Sequence, residues 1–247
     1  MRKPLIAGNF KMFKTVAEVR AYARGLRHSL DGLSGREAAV CPPFTALAAA
    51  AEEFKGGPVA WGAQNLHWEK QGAFTGEISA GMLSELGCRY AIVGHSERRQ
   101  YFGETDATVN KRMNAALGAG ITPIVCIGET LQERETGQTI VVLERQLQGG
   151  LQGLAPSASI VIAYEPVWAI GTGKTATPAQ AQEAHAFTRG WLAKNLGQAF
   201  AASTRLLYGG SVKPDNMSSL MAQPDIDGGL VGGACLEVES FTRIVRY

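Results

Sequence analysis

A single carboxylate stands at the end of an apolar run in the second half of the chain. Residues 160–164 (IVIAY) have the length and β-branching of a buried parallel strand, and Glu165 follows them directly. Pro166 disfavours the helical region for the residue before it, so Glu165 is expected on extended backbone. A carboxylate fixed in this way can act as a general base, although a solvated glutamate on an ordinary loop is an equally common outcome.

The segment that follows Glu165 has the composition of a lid. Residues 169–173 (AIGTG) are small and uncharged, and a helix start comes soon after them. Thr177 suits the N-cap, Pro178 the first helical position, and Gln180 completes a capping box. A flexible segment fixed at both ends is the arrangement of a lid over a catalytic base. A plain strand-to-helix loop is the alternative.

The same segment also resembles the end of a nucleotide-binding phosphate loop. Residues 171–175 read GTGKT. That motif requires a glycine five residues before the glycine of its Gly-Lys pair. Trp168 occupies this position before Gly173, and its side chain would block the tight turn. The sequence therefore excludes this class of site.

Other polar or glycine residues follow apolar runs elsewhere in the chain. They are Asn9 and Lys11, then His95 and Glu97, then Ser211 behind Gly209 and Gly210, and finally Gly232 and Gly233. Each residue alone has an ordinary explanation, since a lysine is usually solvated, a histidine usually structural and a glycine pair usually a turn. Their significance depends on whether the fold brings them to one place.

The elements that would position these residues alternate between strand-like and helix-like segments eight times. Eight such units in 247 residues predict one α/β domain, 1–247, folded as a (β/α)8 TIM barrel. A doubly wound open sheet is the alternative, but the residues after the first strand, GNFK, are not its dinucleotide fingerprint. The predicted strands are 5–8, 37–41, 59–63, 90–93, 122–127, 160–164, 204–208 and 228–231. The predicted helices are 16–30, 45–54, 79–86, 106–119, 139–151, 178–196, 216–221 and 237–246, with a helical turn at 96–99.

A barrel of this kind gathers the carboxyl ends of its strands at one mouth, where active sites lie. There, Ser211, Gly232 and Gly233 would offer backbone N–H groups to a phosphate, and Lys11 would add a cation. His95 precedes a helical turn, whose N-terminus disfavours an imidazolium. With Glu165 as base, these groups suit proton abstraction next to a carbonyl of a small phosphorylated molecule.

Composition narrows the setting of this chemistry. A net charge of +2 gives no reason to expect nucleic acid or a membrane surface as a partner. No apolar run approaches the length of a membrane span, and no signal peptide is evident. Four cysteines without C-x-x-C spacing predict reduced thiols in a cytoplasmic protein. No His/Cys cluster has metal-ligand spacing, so no metal is expected.

Six stretches, in order along the chain, resemble the triosephosphate isomerase family. They are GNFKM (8–12), GAFTGE (72–77), VGHSERR (93–99), AYEPVWAIGTG (163–173), YGGSV (208–212) and VGGA (231–234). The resemblance covers essentially the whole chain. It implies interconversion of dihydroxyacetone phosphate and glyceraldehyde 3-phosphate without a cofactor. Two alternatives remain: another phosphate-binding barrel isomerase, with different acid–base residues, or a non-catalytic phosphate-binding protein on this fold.

The resemblance also implies a role for each matching residue. Glu165 and a neutral His95 match the well-known acid–base pair of the family. By this resemblance Glu165 would shuttle the proton between the two carbons, and His95 would polarise the carbonyl and move protons between the oxygens. Asn9 and Lys11 would stabilise the enediolate, and Glu97 would support Lys11 and His95. The phosphate would be held by the backbone N–H groups of residues around the mouth: Gly171, Ser211, Gly232 and Gly233.

Three neighbours of the motif residues depart from the family pattern. Phe10 stands where tryptophan is usual, Phe13 where asparagine is common and Cys235 where serine is frequent. None of them replaces a motif residue, so they bear on packing near the site and not on its chemistry.

The loop expected over residues 64–78 is long, and it carries the apolar residues Leu66, Trp68 and Phe74. Apolar side chains on a long loop tend to insert somewhere, either into their own barrel or into another molecule. The resemblance implies the second outcome, with Thr75 reaching the neighbouring subunit near Asn9 and Lys11. The expected assembly is therefore a two-fold homodimer.

Overall fold

The computed structural model describes residues 2–170 and 175–247 and contains a closed barrel of eight parallel strands in sequential order. Strand β1 closes the ring by pairing with both β2 and β8, since Leu5 lies opposite Glu37 on one side and Gly228 on the other. The predicted α/β barrel is confirmed. The strands are β1 Leu5–Asn9, β2 Glu37–Cys41, β3 Val59–Ala63, β4 Tyr90–Val93, β5 Thr122–Ile127, β6 Val161–Tyr164, β7 Arg205–Tyr208 and β8 Gly228–Val231.

Helices follow the strands and cover the outside of the barrel. Several begin with a threonine capping box, which satisfies free backbone N–H groups at the start of the helix. Among them are the helices capped by Thr15, Thr105 and Thr177. The helices are α1 Val16–Ser29, α2 Leu47–Phe54, α3 Ala80–Glu85, α4 Ser96–Phe102, α5 Asp106–Gly118, α6 Leu131–Glu135, α7 Thr139–Gly150, α8 Pro178–Leu196, α9 Gln198–Ser203, α10 Pro214–Met221 and α11 Val238–Val245.

Most helices match the sequence prediction, with three differences. The helical turn predicted at 96–99 extends to Phe102. The helix ends there because the next residue, Gly103, adopts the left-handed conformation of a helix C-cap. Helices α6 and α9 were not predicted. They are five and six residues long, too short to show an apolar period.

The core has two layers, which explains why the strands show no alternation of apolar and polar residues. Side chains such as Ile92, Ile124 and Leu207 fill the barrel interior, and others such as Ile6, Val40 and Val125 pack against the helices. A parallel strand buried on both faces reads as a continuous apolar run.

The amino-terminal end of the barrel is closed by polar side chains from three strands. Arg205 donates to Glu37 Oε2 at 2.8 Å and to the Tyr90 hydroxyl at 3.0 Å, and Tyr90 donates to Glu37 Oε1 at 2.9 Å. Each is the first residue of its strand. This group lies opposite the mouth and therefore supports the barrel and not the site.

Candidate active site

The mouth of the barrel brings the predicted residues together. Asn9 ends β1, Glu165 follows β6 directly, and Gly232 follows β8 directly. These residues line one cavity of about 240 Å³ together with Lys11, His95, Ser211 and Gly233. Glu97 does not line the cavity but contacts two residues that do. Gly171, the remaining predicted residue, lies outside the described part of the chain.

Glu165 is almost completely buried, at 1% exposure, and both carboxylate oxygens are engaged. Oε1 lies 2.8 Å from His95 Nε2, and Oε2 accepts a hydrogen bond from Ser96 N at 2.9 Å. Burial raises the pKa of Glu165, but His95 and the Ser96 N–H outweigh it, so that the pKa lies below the ordinary value. The carboxylate is thus ionised and available as a base at neutral pH.

His95 caps the N-terminus of α4, as the sequence predicted. Its Nδ1 accepts from Glu97 N at 3.3 Å, which assigns the ring proton to Nε2, facing Glu165. Burial lowers the pKa of His95, but the Glu165 carboxylate raises it further, so with this contact made the pKa lies above its ordinary value. Without this contact, burial and the helix N-terminus would both favour the neutral imidazole.

Lys11 is presented from an unusual backbone conformation, with φ at 53°. Hydrogen bonds on both sides hold it there: its N–H donates to Asn9 Oδ1 at 3.0 Å, and its carbonyl accepts from Gln64 Nε2 at 2.8 Å. The Lys11 ammonium pairs with Glu97 Oε1 at 2.5 Å. Sequence reasoning missed Gln64, since a glutamine that binds backbone carries no pattern.

The end of the cavity that is predicted to bind phosphate is bare backbone. Ser211 follows Gly210, where a Cβ would come 2.3 Å from the Tyr208 hydroxyl, so only glycine fits. A residue that sequence reasoning missed fastens this loop: Asn216 donates to Ser211 O at 2.9 Å and accepts from Lys213 N at 2.8 Å. The loop backbone is therefore held from both sides.

Two of the three departures from the family pattern, Phe10 and Cys235, are buried packing residues. Phe10 is buried edge-on against Tyr22, with ring centroids 4.9 Å apart. Cys235 is buried with its thiol 3.5 Å from Asn9 O, whereas Phe13 is 56% exposed. None of the three lines the cavity at the mouth.

The two ends of the predicted lid are described, although its centre is not. Trp168 donates from Nε1 to Glu129 Oε1 at 2.9 Å, and Thr177 forms the predicted capping box with Gln180. Residues 171–174 fall outside the described part, so the lid stays a prediction.

The loop over residues 64–78 combines both outcomes considered for it. Leu66 is fully buried in its own barrel, and Trp68 lies half-buried beneath the cations of Lys111 and Arg112. Phe74, by contrast, is 43% exposed. The base of the loop therefore folds down on the barrel and its tip does not.

Comparison with known proteins agrees with this geometry. A family profile described as "Triosephosphate isomerase" matches residues 4–247. The triosephosphate isomerase of Chloroflexus aurantiacus is 58% identical over 249 residues, and that of Endomicrobium trichonymphae is 59% identical over 249 residues. The alignments cover 100% of this chain and 100% and 99% of those proteins.

A solved structure is similar as well. The crystal structure of triosephosphate isomerase from Bartonella henselae superposes with a TM-score of 0.89 at 41% identity, covering 98% of this chain and 97% of that one. Sequence and structure agree over the whole length, and the chain belongs to the triosephosphate isomerase family.

Proposed function

We propose that this chain interconverts dihydroxyacetone phosphate and glyceraldehyde 3-phosphate by proton transfer through an enediolate. The observation that carries the proposal is the contact of 2.8 Å between the Glu165 carboxylate and His95 Nε2, in one small cavity with the Lys11 side chain. A base and a hydrogen-bond donor side by side are what the removal of a proton beside a carbonyl requires. No step draws on a cofactor or a metal.

In this proposal Glu165 is the base. Its carboxylate leaves Ser96 N and His95, turns into the cavity and takes a proton from the carbon next to the carbonyl. It returns the proton to the neighbouring carbon, which converts ketose to aldose. Because its pKa lies below the ordinary value when it contacts His95, the base is ionised before substrate arrives.

His95 and Lys11 stabilise the charge that develops on oxygen. The Nε2–H of His95 donates to the carbonyl oxygen and moves protons between the two oxygens, while the Lys11 ammonium and the Asn9 amide lie beside the enediolate. Glu97 acts as a positioning residue, because its carboxylate pairs with Lys11 and its N–H fixes the His95 tautomer.

The phosphate is held at the other end of the cavity. Backbone N–H groups of Gly171, Ser211, Gly232 and Gly233 are proposed to bind its oxygens, with Lys11 offsetting the negative charge. This division, with chemistry at one end and anchoring at the other, lets binding energy from the phosphate orient the reacting carbons.

We further propose that residues 1–247 act as one domain in a cytoplasmic homodimer formed through the loop over residues 64–78, with Thr75 at the partner's site. Large apolar side chains left exposed after β1, β3 and β4 support it: Met12, Phe74, Met82, Tyr101 and Phe102 are 43–94% exposed. The burial of all four free cysteines is compatible with a reducing compartment.

A coupled assay with glyceraldehyde 3-phosphate tests the proposed reaction. Formation of dihydroxyacetone phosphate that is abolished by Glu165→Gln is the expected result. Another phosphate-binding barrel isomerase would leave this substrate unchanged and act on a different sugar phosphate. A non-catalytic protein would bind the substrate without turnover. Either outcome would overturn the proposal.

A further inference from the structure

A buried glutamine behind the mouth makes a pair of hydrogen bonds that the mechanism above does not use. Gln146 lies on α7 and is 4% exposed. Its Oε1 accepts from Gly128 N at 2.7 Å, and its Nε2 donates to Gly128 O at 3.1 Å. The amide therefore hydrogen-bonds both the N–H and the carbonyl group of Gly128, which fixes the orientation of the backbone at this residue.

Gly128 directly follows β5 and contacts the backbone of Glu165, which directly follows β6. A Cβ on Gly128 would lie 1.8 Å from the carbonyl oxygen of Glu165, so the two backbones are in direct contact and leave no room for a side chain. On either side of this contact, Glu165 N donates to Ile127 O at 2.7 Å and Val167 N donates to Glu129 O at 3.0 Å. Residues 127–129 thus form the support on which the backbone of the base rests.

The two halves of Glu165 are held by different parts of the fold. Its carboxylate is held by His95 and Ser96, after β4, and has to be released for catalysis. Its backbone is held by residues 127–129 at the end of β5, through the hydrogen bond to Ile127 O and the close contact at Gly128. A shift of residues 127–129 would therefore displace the backbone of Glu165 and, with it, the carboxylate. A displacement of ~1 Å can cost ~10²-fold in rate.

We propose that Gln146 is a positioning residue for the base: by fixing Gly128 from helix α7, it sets the place from which the Glu165 carboxylate reaches the substrate. The inference rests on the proposed role of Glu165. A glutamine that only fastened α7 to the barrel would affect stability and leave turnover unchanged, so the test has to separate these two effects.

The chain offers a matched control. Gln182, on α8, also makes two hydrogen bonds to a single residue: its Oε1 accepts from Asp225 N at 3.1 Å, and its Nε2 donates to the side-chain Oδ2 of Asp225 at 2.7 Å. Asp225 precedes β8 at the opposite end of the barrel from the mouth. Loss of this amide removes a comparable pair of hydrogen bonds without touching the support of Glu165.

The experiment compares Gln146→Met with Gln182→Met, since methionine keeps the volume and loses both hydrogen bonds. We expect kcat of Gln146→Met to fall by roughly 10- to 100-fold with KM nearly unchanged, because the phosphate loops after β7 and β8 are untouched. Inhibition by inorganic phosphate should be the same in both variants. Gln182→Met should lose thermal stability and keep the wild-type kcat.

The inference would be overturned if the two variants had equal kcat, or if Gln146→Met changed KM and left kcat unchanged. If Gln146→Met does not fold by circular dichroism, Gln146→Glu takes its place in the comparison, because its carboxyl group keeps an acceptor for the Gly128 N–H. A wild-type chain without isomerase activity would contradict the proposed function itself. An active wild type together with a Gln146→Met variant of unchanged kcat would contradict this inference alone.

Discussion

At the scale of single residues, the site depends on where a carboxylate stands as much as on its charge. Glu165 stands directly after β6 and before Pro166, and its two oxygens reach Ser96 N and His95 Nε2 at hydrogen-bond distance. A shorter side chain on the same backbone cannot keep both contacts or reach the same point in the cavity.

Glu165→Asp should therefore lower kcat by ~10²-fold, because it withdraws the carboxylate by one CH₂. KM should change little, since the phosphate loops are unaffected, and steady-state kinetics would show this split. Glu135→Asp, at an exposed residue of α6, is the control for the substitution itself. Near-wild-type turnover of Glu165→Asp would remove Glu165 from the proposed mechanism.

The residues proposed to react could be predicted from the sequence, and those proposed to position them could not. Glu165 and His95 each follow a readable apolar strand, and the family motifs surround both. Gln64, Gln146 and Asn216 act by binding backbone that is distant or irregular. Such contacts depend on the closed fold, and an isolated glutamine or asparagine on a helix or loop does not reveal its partner.

At the scale of elements, the loop after β7 is held by the helix that follows it. Asn216 bonds Ser211 O and Lys213 N across the start of α10. Ser211 is proposed to bind the substrate phosphate through its N–H, so the orientation of its peptide groups depends on this side chain.

Asn216→Ala should raise KM and weaken inhibition by inorganic phosphate while kcat changes little. The loss of hydrogen bonds worth about 0.5–1.5 kcal/mol each corresponds to roughly 2- to 10-fold in affinity. Asn195→Ala, which removes an exposed contact to Trp191 O within α8, is the control. A fall in kcat at unchanged KM would place Asn216 outside the phosphate site.

The polar group at the amino-terminal end of the barrel predicts a pH-dependent stability. Burial raises the pKa of Glu37, but Arg205 and Tyr90 outweigh it, so the pKa in the folded chain lies below 4.5. A carboxylate with a lowered pKa stabilises the fold above its unfolded pKa, and this stabilisation is lost as pH falls through the folded value.

Glu37→Gln should consequently lower the free energy of unfolding by about 1–3 kcal/mol at neutral pH. The difference from wild type should shrink as pH falls below 4.5, as followed by urea denaturation across a pH series. Glu52→Gln changes the same charge at a side chain that is 64% exposed and should have little effect. A constant difference at every pH would assign the effect to packing and not to ionisation.

At the scale of the whole molecule, the barrel itself could be predicted because its pattern repeats eight times along the chain. Each predicted strand agrees with its observed bounds to within about one residue, since β-branched runs bounded by glycine, proline and polar residues mark them well. Helices α6 and α9 and the register that closes β1 on β8 could not be predicted, because short helices and strand pairing are decided by tertiary contacts.

One side of the molecule combines exposed apolar side chains with buried polar atoms that have no hydrogen-bond partner among the described residues. The exposed apolar residues of α3 and α4 and of the loop tip at Phe74 lie after β3 and β4. Nearby buried polar atoms lack hydrogen-bond partners within the described residues, among them Glu104 Oε2 and Arg112 Nε. Unsatisfied buried polar groups beside an exposed apolar surface are typical of a subunit interface, which supports the proposed dimer.

The proposed dimer leads to the prediction that turnover depends on assembly. Lys11 and its neighbours are proposed to meet the partner's Thr75 in the dimer, so a chain that cannot pair should have a less well-ordered site. Thr75→Arg places a cation at the loop tip, where Thr75 is exposed in the single chain, and burial of an unpaired charge on docking is costly. The variant should sediment as a monomer, keep the circular dichroism of the barrel and show much lower specific activity.

Gln132→Arg, at an exposed residue of α6, adds the same charge away from this surface and should remain a fully active dimer. Wild-type activity should fall on dilution in step with dissociation. Monomers that keep full specific activity would separate catalysis from assembly and contradict the proposed role of the loop.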